Sequence, residues 1–372
     1  MTDVAPEIAT LLREKRVLVL AGPGGVGKTT TAAALGLAAA QAGRRVLVLT
    51  IDPARRLAEA LGLPLEAPRP TPVPAERMAA LGLTGKGTLD AWMLDPKVVF
   101  EEMVRRLASS PAEAQKLIAT RLFGHLSELV SGMQEYTAAE ALYTFVEDRK
   151  YDLVVLDTPP SRNALDFLDA PGRLTRFLEE GVLSVFMPKT GSSLLQRAGK
   201  LVGSVFSRAL GDGFVKELEI FLGAFGGIFG ALRVHTAGVR SLLSSPEAAF
   251  LLVTSAEAEA LTEALFFRDA VLQRGLPFAG FVLNRSLARL AAWPHPRDVM
   301  LPADASLAAR SAMAKLLTFA DAERAEARSH MELLTRLRGL AGTSRFAVAA
   351  PHVGEGVDDL EGLLALAHGL AS

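Results

Sequence analysis

The sequence contains no cysteine, which removes disulfides, thiolate metal sites and cysteine nucleophiles from the chemistries open to it. It has no uninterrupted apolar run of the roughly 18 residues that a membrane-spanning helix requires. It lacks an excess of either charge. With 40 Lys and Arg against 41 Asp and Glu there is no global basic field to recruit nucleic acid, and no nucleic-acid partner is expected. The start of the chain, Met1 to Glu7, is acidic and lacks the basic segment and apolar stretch of a secretory signal, so a cytoplasmic location is expected. Histidines at positions 125, 235, 295, 330, 352 and 368 show no metal-ligand spacing and read as ordinary surface or packed residues.

What is present is a chain of 372 residues, 50% hydrophobic and 22% charged, which is too apolar for disorder and long enough for about two domains or one enlarged domain. Its positive mean hydropathy of +0.27 follows from abundant Ala and Leu in helical patterns. Short β-prone apolar runs predict strands at Arg16–Ala21, Arg45–Thr50, Thr88–Leu94, Tyr151–Asp157, Ala249–Thr254, Phe278–Asn284 and Arg345–Ala349. A helix is expected from Gly27 to Gln41. Strands alternating with helices predict an α/β fold, a mostly parallel sheet with helices on both faces. Pro96–Arg149 and Gly181–Ser245 are helical by pattern and are read as one α-helical subdomain inserted in two pieces. Pro64, Pro68, Pro70, Pro72 and Pro74 mark an extended surface loop, since each proline fixes φ and removes a donor. The expected division is a nucleotide-binding core over residues 1–95, a helical insertion over 96–149, core over 150–180, a second helical insertion over 181–245, and core again over 246–372.

The chemistry is carried by Gly22-Pro23-Gly24-Gly25-Val26-Gly27-Lys28-Thr29, which matches G-x-x-x-x-G-K-[ST], follows a predicted strand and opens a predicted helix. Glycines at that spacing let backbone N–H groups curl around phosphate oxygens, and the helix N-terminus adds a favourable dipole. Gly22, Gly24, Gly25, Val26, Gly27, Lys28, Thr29 and Thr30 are the candidate ATP-binding residues. Lys28 would bridge the β and γ phosphates and the Thr29 hydroxyl would ligate Mg²⁺. Asp52, in Thr50-Ile51-Asp52-Pro53-Ala54, falls at the end of the second predicted strand, where a carboxylate can orient an attacking water and accept its proton; an Asp-Pro turn is the alternative reading. Asp157 ends the apolar strand of Leu153-Val154-Val155-Leu156-Asp157-Thr158-Pro159-Pro160, the pattern that holds the shell of Mg²⁺ in P-loop enzymes.

On these segments, together with Leu283-Asn284-Arg285 and Ala350-Pro351-His352, the sequence resembles the ArsA and guided-entry family of deviant-P-loop ATPases across most of its length. The resemblance implies a P-loop NTPase fold of SIMIBI-like type. It also implies an Asp52 that acts on water from switch I, an Asp157 that opens switch II, and Asn284 with Pro351 at the adenine. Family members close as dimers around two ATP molecules while a helical subdomain moves, so a homodimer or a heterodimer with a related ATPase is expected. Three departures stand out: Pro23 where the family places a second lysine, Arg55-Arg56 after the Asp52-Pro53-Ala54 segment, and Ser161-Arg162-Asn163 after the second proline of switch II. One of Arg55, Arg56 or Arg162 could supply charge as an arginine finger does, against the alternative of ordinary ion pairing. Without cysteine, thiolate capture of arsenite and a Cys-based zinc clasp cannot occur.

Between Phe214 and Leu232 the residues Phe214, Leu218, Phe221, Phe225, Phe229 and Leu232 form one apolar helical stripe, with no charge from Ile220 to Leu232. It reads either as internal packing or as a groove for an apolar helix of a client. The preferred expectation is a Mg-ATP-hydrolysing dimer that handles a hydrophobic or membrane-protein client, in the cytoplasm and with peripheral membrane association left open. A weakly hydrolytic regulatory subunit and a MinD- or ParA-like positioning ATPase are the rivals. The second is weakened by the acids of Asp358, Asp359 and Glu361, where a basic amphipathic C-terminal helix would be needed.

Overall fold

The computed structural model describes residues 5–51, 56–64, 67–83, 85–131, 134–158, 231, 234–299, 301–302, 304–353, 357 and 359–370. Eight strands form one sheet: β1 (Val17–Ala21), β2 (Arg45–Thr50), β3 (Thr71–Pro72), β4 (Thr88–Met93), β5 (Leu153–Asp157), β6 (Ala248–Thr254), β7 (Phe278–Ser286) and β8 (Phe346–Pro351). Their order is β3-β4-β2-β5-β1-β6-β7-β8. Every pairing is parallel except that of β3 with β4.

All of β1, β5 and β6 is buried, as expected of parallel strands covered on both faces. Alternate side chains serve opposite layers. Leu18, Leu20, Val46, Val48, Val155, Leu251 and Val282 pack under α1 (Pro6–Glu14), α2 (Lys28–Gln41) and α3 (Arg56–Leu61). Val17, Val19, Leu47, Leu49, Val154, Phe250 and Phe281 face the other layer. The short helix α4 (Ala75–Ala80) adds the buried Met78 to the first of these clusters.

The second layer is built from α5 (Pro96–Leu107), α6 (Pro111–Ile118), α7 (Arg121–Ser131), α8 (Gln134–Glu147), a helical stretch over residues 234–244, α9 (Ala258–Gln273) and α10 (Leu307–Ala341). A final helix, α11 (Leu360–His368), returns to the face of α2. Local chemistry fixes several starts. Asp95 accepts from the N–H groups of Lys97 and Val98 ahead of Pro96, and Ser110 accepts from Glu113 N–H ahead of Pro111. Each cap satisfies donors that the first helical turn leaves open, and proline at N1 loses none. The 35-residue α10 is buried only in its second half: no residue from Leu307 to Glu326 is buried, whereas Ala327, His330, Leu334 and Leu337 are.

The predicted strands are all present, with ends moved by a residue or two. β7 runs on through Arg285 and Ser286, so Asn284 lies inside the strand rather than at its end. β8 likewise includes Ala350 and Pro351. Within the proline-rich loop, Thr71 and Pro72 pair with Ala91 and Asp90 as a two-residue antiparallel edge, a place where a proline lacking N–H is tolerated. The helices α5 to α8 fall where Pro96–Arg149 was read as helical. Most of the second expected insertion, including the Phe214 to Leu232 stripe apart from Ala231, lies outside the described residues.

Candidate functional site

Because β1, β2, β5, β6, β7 and β8 are parallel, their C-terminal ends share one edge of the sheet, the edge at which open α/β sheets take ligands. Register then selects which side chains meet there. Leu20 of β1 and Thr50 of β2 both stand opposite Asp157 of β5.

The loop from Gly22 to Gly27 joins β1 to α2. Gly22 has φ +151°, and a Cβ at this position would lie 2.1 Å from the carbonyl oxygen of Val253 on β6. Gly27 has φ +86°, and a Cβ there would lie 2.3 Å from Asn284 Nδ2. Both positions therefore require glycine, for backbone conformation and for space. Asn284 donates from Nδ2 to the carbonyl of Val26 at 2.8 Å, so β7 braces the loop through a buried amide. Lys28 is 7% exposed, and its Nζ donates to the carbonyl of Pro23 at 2.7 Å, folding the side chain back along the loop.

At the second residue of α2, the Thr29 hydroxyl donates to Asp157 Oδ2 at 2.6 Å. Thr50 Oγ1 donates to the same oxygen at 2.8 Å. Thr158 anchors the strand end by donating to the carbonyl of Leu20 at 2.8 Å. Asp157 is 1% exposed, so a buried carboxylate is held by two hydroxyls from two different elements. These are hard oxygen donors of the kind Mg²⁺ prefers, and residues Thr29 and Asp157 fit such an ion chemically.

The structure thus joins Lys28, Thr29, Asp157 and Asn284, four of the residues singled out by sequence. Pro351, at the end of β8, stands opposite Ser286 in register and packs against Gly369. Asp52 and Arg55 lie outside the described residues, as does the side chain of Arg56, and so do Ser161, Arg162 and Asn163. Thr50 and Thr158 were not assigned roles by sequence reasoning. The signal for Thr50 was a hydroxyl at the last position of a buried apolar strand.

A glycine loop between a parallel strand and a helix, with its lysine, its threonine and a buried acid on the neighbouring strand, defines a P-loop NTPase. The family model of the anion-transporting ATPases matches residues 15–289. The chain therefore belongs to the anion-transporting ATPase family. A relative from Halobacterium salinarum, named as an arsenical pump-driving ATPase, is 31% identical over 190 residues, which make up 49% of this chain and 28% of that protein. ATPase GET3 of Mycosarcoma maydis is 26% identical over 218 residues, 58% of each chain. ATPase GET3 of Malassezia globosa is 24% identical over 284 residues, 76% of each chain. Against the first relatives the matched part spans between 28% and 58% of their own length.

Proposed function

We infer that this chain binds Mg-ATP at the Gly22–Thr30 loop, hydrolyses it, and couples the nucleotide cycle to the handling of a hydrophobic client. The observation that carries the reading is the convergence of Thr29 and Thr50 on one oxygen of Asp157, directly beside the Lys28 loop. Thr29 and Asp157 would hold the ion, Thr29 directly and Asp157 through its shell. When bound, Mg²⁺ supplies charge neutralisation between the β and γ phosphates. The loop N–H groups from Gly24 to Thr30 orient the phosphates. The Lys28 ammonium exchanges the Pro23 carbonyl for a phosphate oxygen, and Asp52 positions the attacking water and takes its proton. Asn284, which braces the loop, and Pro351 would line the adenine.

The names of the GET3 and arsenical pump relatives support an ATPase, and a dimer, either a homodimer or a heterodimer with a related ATPase, belongs to this reading. The division into a nucleotide core over 1–95, 150–180 and 246–372, with a helical subdomain over 96–149 and 181–245, belongs to the same reading. The helical part would present the Phe214 to Leu232 stripe to a client helix. Among the described residues no helix is long and apolar enough to cross a membrane.

The test is steady-state hydrolysis alongside nucleotide affinity. Asp52→Asn is expected to bind ATP like the parent and to lose about 100-fold or more in turnover, the usual scale for a general base. Turnover at the parent rate would overturn the assignment of Asp52.

A further inference from the structure

The 35-residue α10 carries one face along its whole length and buries only half of it. In the second half Ala327, His330, Leu334, Leu337 and Ala341 recur at steps of three and four and are buried. The same steps carried toward the N-terminus reach Glu323, Phe319, Leu316, Ala312 and Ala309. There the large apolar side chains stand in solvent: Leu316 is 57% exposed and Phe319 63%. Ala309 and, on one flank, Met313, Leu317 and Ala320 are half-buried.

The direction of the helix places this half. His330 Nδ1 accepts from Leu287 N–H just past the end of β7, and Arg338 donates to the carbonyl of Ala347 near the start of β8. Residues before His330 therefore project past the C-terminal edge of the sheet, the edge of the glycine loop. Ties to the preceding connection hold the base of the projection. Asp321 meets His295 Nε2 at 3.0 Å and accepts from Arg297 at 2.7 Å, and Arg324 donates to the carbonyl of Trp293. Toward Leu307, Ser306 caps the helix by accepting from Ala309 N–H, and Arg310 Nε donates to the carbonyl of Ala305. From Leu307 to Glu326 the helix runs about 30 Å at 1.5 Å per residue. An apolar stripe of that length left in water marks a contact surface.

Charge selects the occupant. From Leu307 to Ala320 the charged residues are Arg310 and Lys315, with no acid, whereas from Asp321 to Glu326 three acids stand against Arg324. Laid antiparallel against a copy of itself, the basic end of one helix meets the acidic end of the other. With Leu316 set against Phe319 of the partner subunit, the two-fold centre falls between Leu317 and Thr318. Lys315 then comes within one turn of Glu323 of the partner subunit. Lys315 borders the stripe and Glu323 lies on it, half-buried, and neither has a hydrogen-bond or ion-pair partner among the described residues. A purely apolar helix would leave Glu323 unmatched in the contact.

We propose that two copies of this chain pair through the first halves of α10, packed antiparallel, without need of nucleotide. The inference rests on the functional reading above for the expectation of a dimer and adds the surface that forms it.

Sedimentation equilibrium of the purified full chain without nucleotide is expected to give twice the 39.5 kDa chain mass, with dissociation in about the micromolar range. Leu316→Glu combined with Phe319→Glu, both at exposed positions, should weaken pairing by about 100-fold or more and keep one cooperative unfolding transition. Lys315→Glu and Glu323→Lys should each weaken self-association by about tenfold, because like charges then face each other. An equimolar mixture of these two variants should pair again as tightly as the parent, a rescue that a role within one chain cannot produce. A mixture that fails to pair overturns the proposal. So does a parent that is monomeric at about 50 µM, the result expected if a client helix or another segment of the same chain covers the stripe. If an ATP analogue dimerises the parent and the Leu316→Glu, Phe319→Glu variant alike, the dimer of the functional reading stands and this surface is wrong. A parent that is monomeric with and without the analogue removes both.

Discussion

The two edges of the sheet are built from different residues and to different ends. At the N-terminal edge, cations act as braces. Arg16 reaches Glu247 at 3.0 Å and the carbonyl of Val146 at 2.6 Å. Arg44 donates to the carbonyls of Leu12, Lys15 and Asp152. Arg45 pairs with Asp152 at 2.7 Å. At the C-terminal edge, hydroxyls and one buried acid converge from separate strands on a glycine loop. Braces that close on one another and on carbonyls tie the ends of strands together. Groups that converge on a loop of backbone donors leave a position for something else to occupy.

Breaking that comparison should give its largest effect at Lys28. Lys28→Ala is expected to weaken ATP binding by more than about 100-fold, because the lost contact is a charged one to phosphate. Arg44→Ala, a substitution at the bracing edge, should leave affinity within about twofold of the parent. Fluorescent-nucleotide titration of both variants measures the contrast, and equal losses would mean that the two edges do not differ in kind.

Next in size is Gly22→Ala, whose new Cβ would meet the Val253 carbonyl oxygen at 2.1 Å. Backbone has to shift to admit it, and a loss of about 2–3 kcal/mol of stability is expected in urea unfolding. Gly25→Ala offers the sharper control. Gly25 also has positive φ but no neighbour within 4 Å, so it should lose only about 1 kcal/mol.

Thr50→Val comes third. It removes one of the two hydroxyls that, among the described residues, donate to Asp157 Oδ2, without changing side-chain volume much, and should cost about 1 kcal/mol of stability. A change in the magnesium dependence of hydrolysis is expected alongside. A variant with unaltered magnesium dependence would reduce Thr50 to a packing role.

The smallest effect belongs to Asp152→Asn at the bracing edge. The side-chain hydrogen bond from Arg45 holds the Asp152 carboxyl below its ordinary pKa. A lowered folded-state value means that its stabilisation is fully present above the ordinary carboxylate pKa of about 3.9 and fades as pH falls through the folded value. The melting-temperature difference between parent and variant should be one or two degrees at about pH 7, given the exposure of the pair, and should vanish in acid. A difference that persists at about pH 2 would show that the contribution is not the ion pair.

Much of the fold was legible in the sequence because parallel strands buried on both faces read as apolar runs, and β1, β2, β5 and β6 are runs of that kind. The loop was legible because glycine, lysine and threonine at fixed spacing have few other uses. Thr71 and Pro72 were missed as a strand because a two-residue edge has no period to detect. The Asn284 tether was missed because its partner is the backbone of Val26, and a carbonyl leaves no trace in sequence.

What the sequence alone determined is the class of protein and the placing of Lys28 and Thr29 at a helix start and Asp157 at a strand end, since these depend on residue type and on short-range order. What only the tertiary structure decided is which hydroxyls share Asp157, which strand braces the loop, and that α10 buries residues only in its second half. Those facts depend on strand register and on helices crossing, contacts between residues up to 258 positions apart in the chain, which no local pattern encodes.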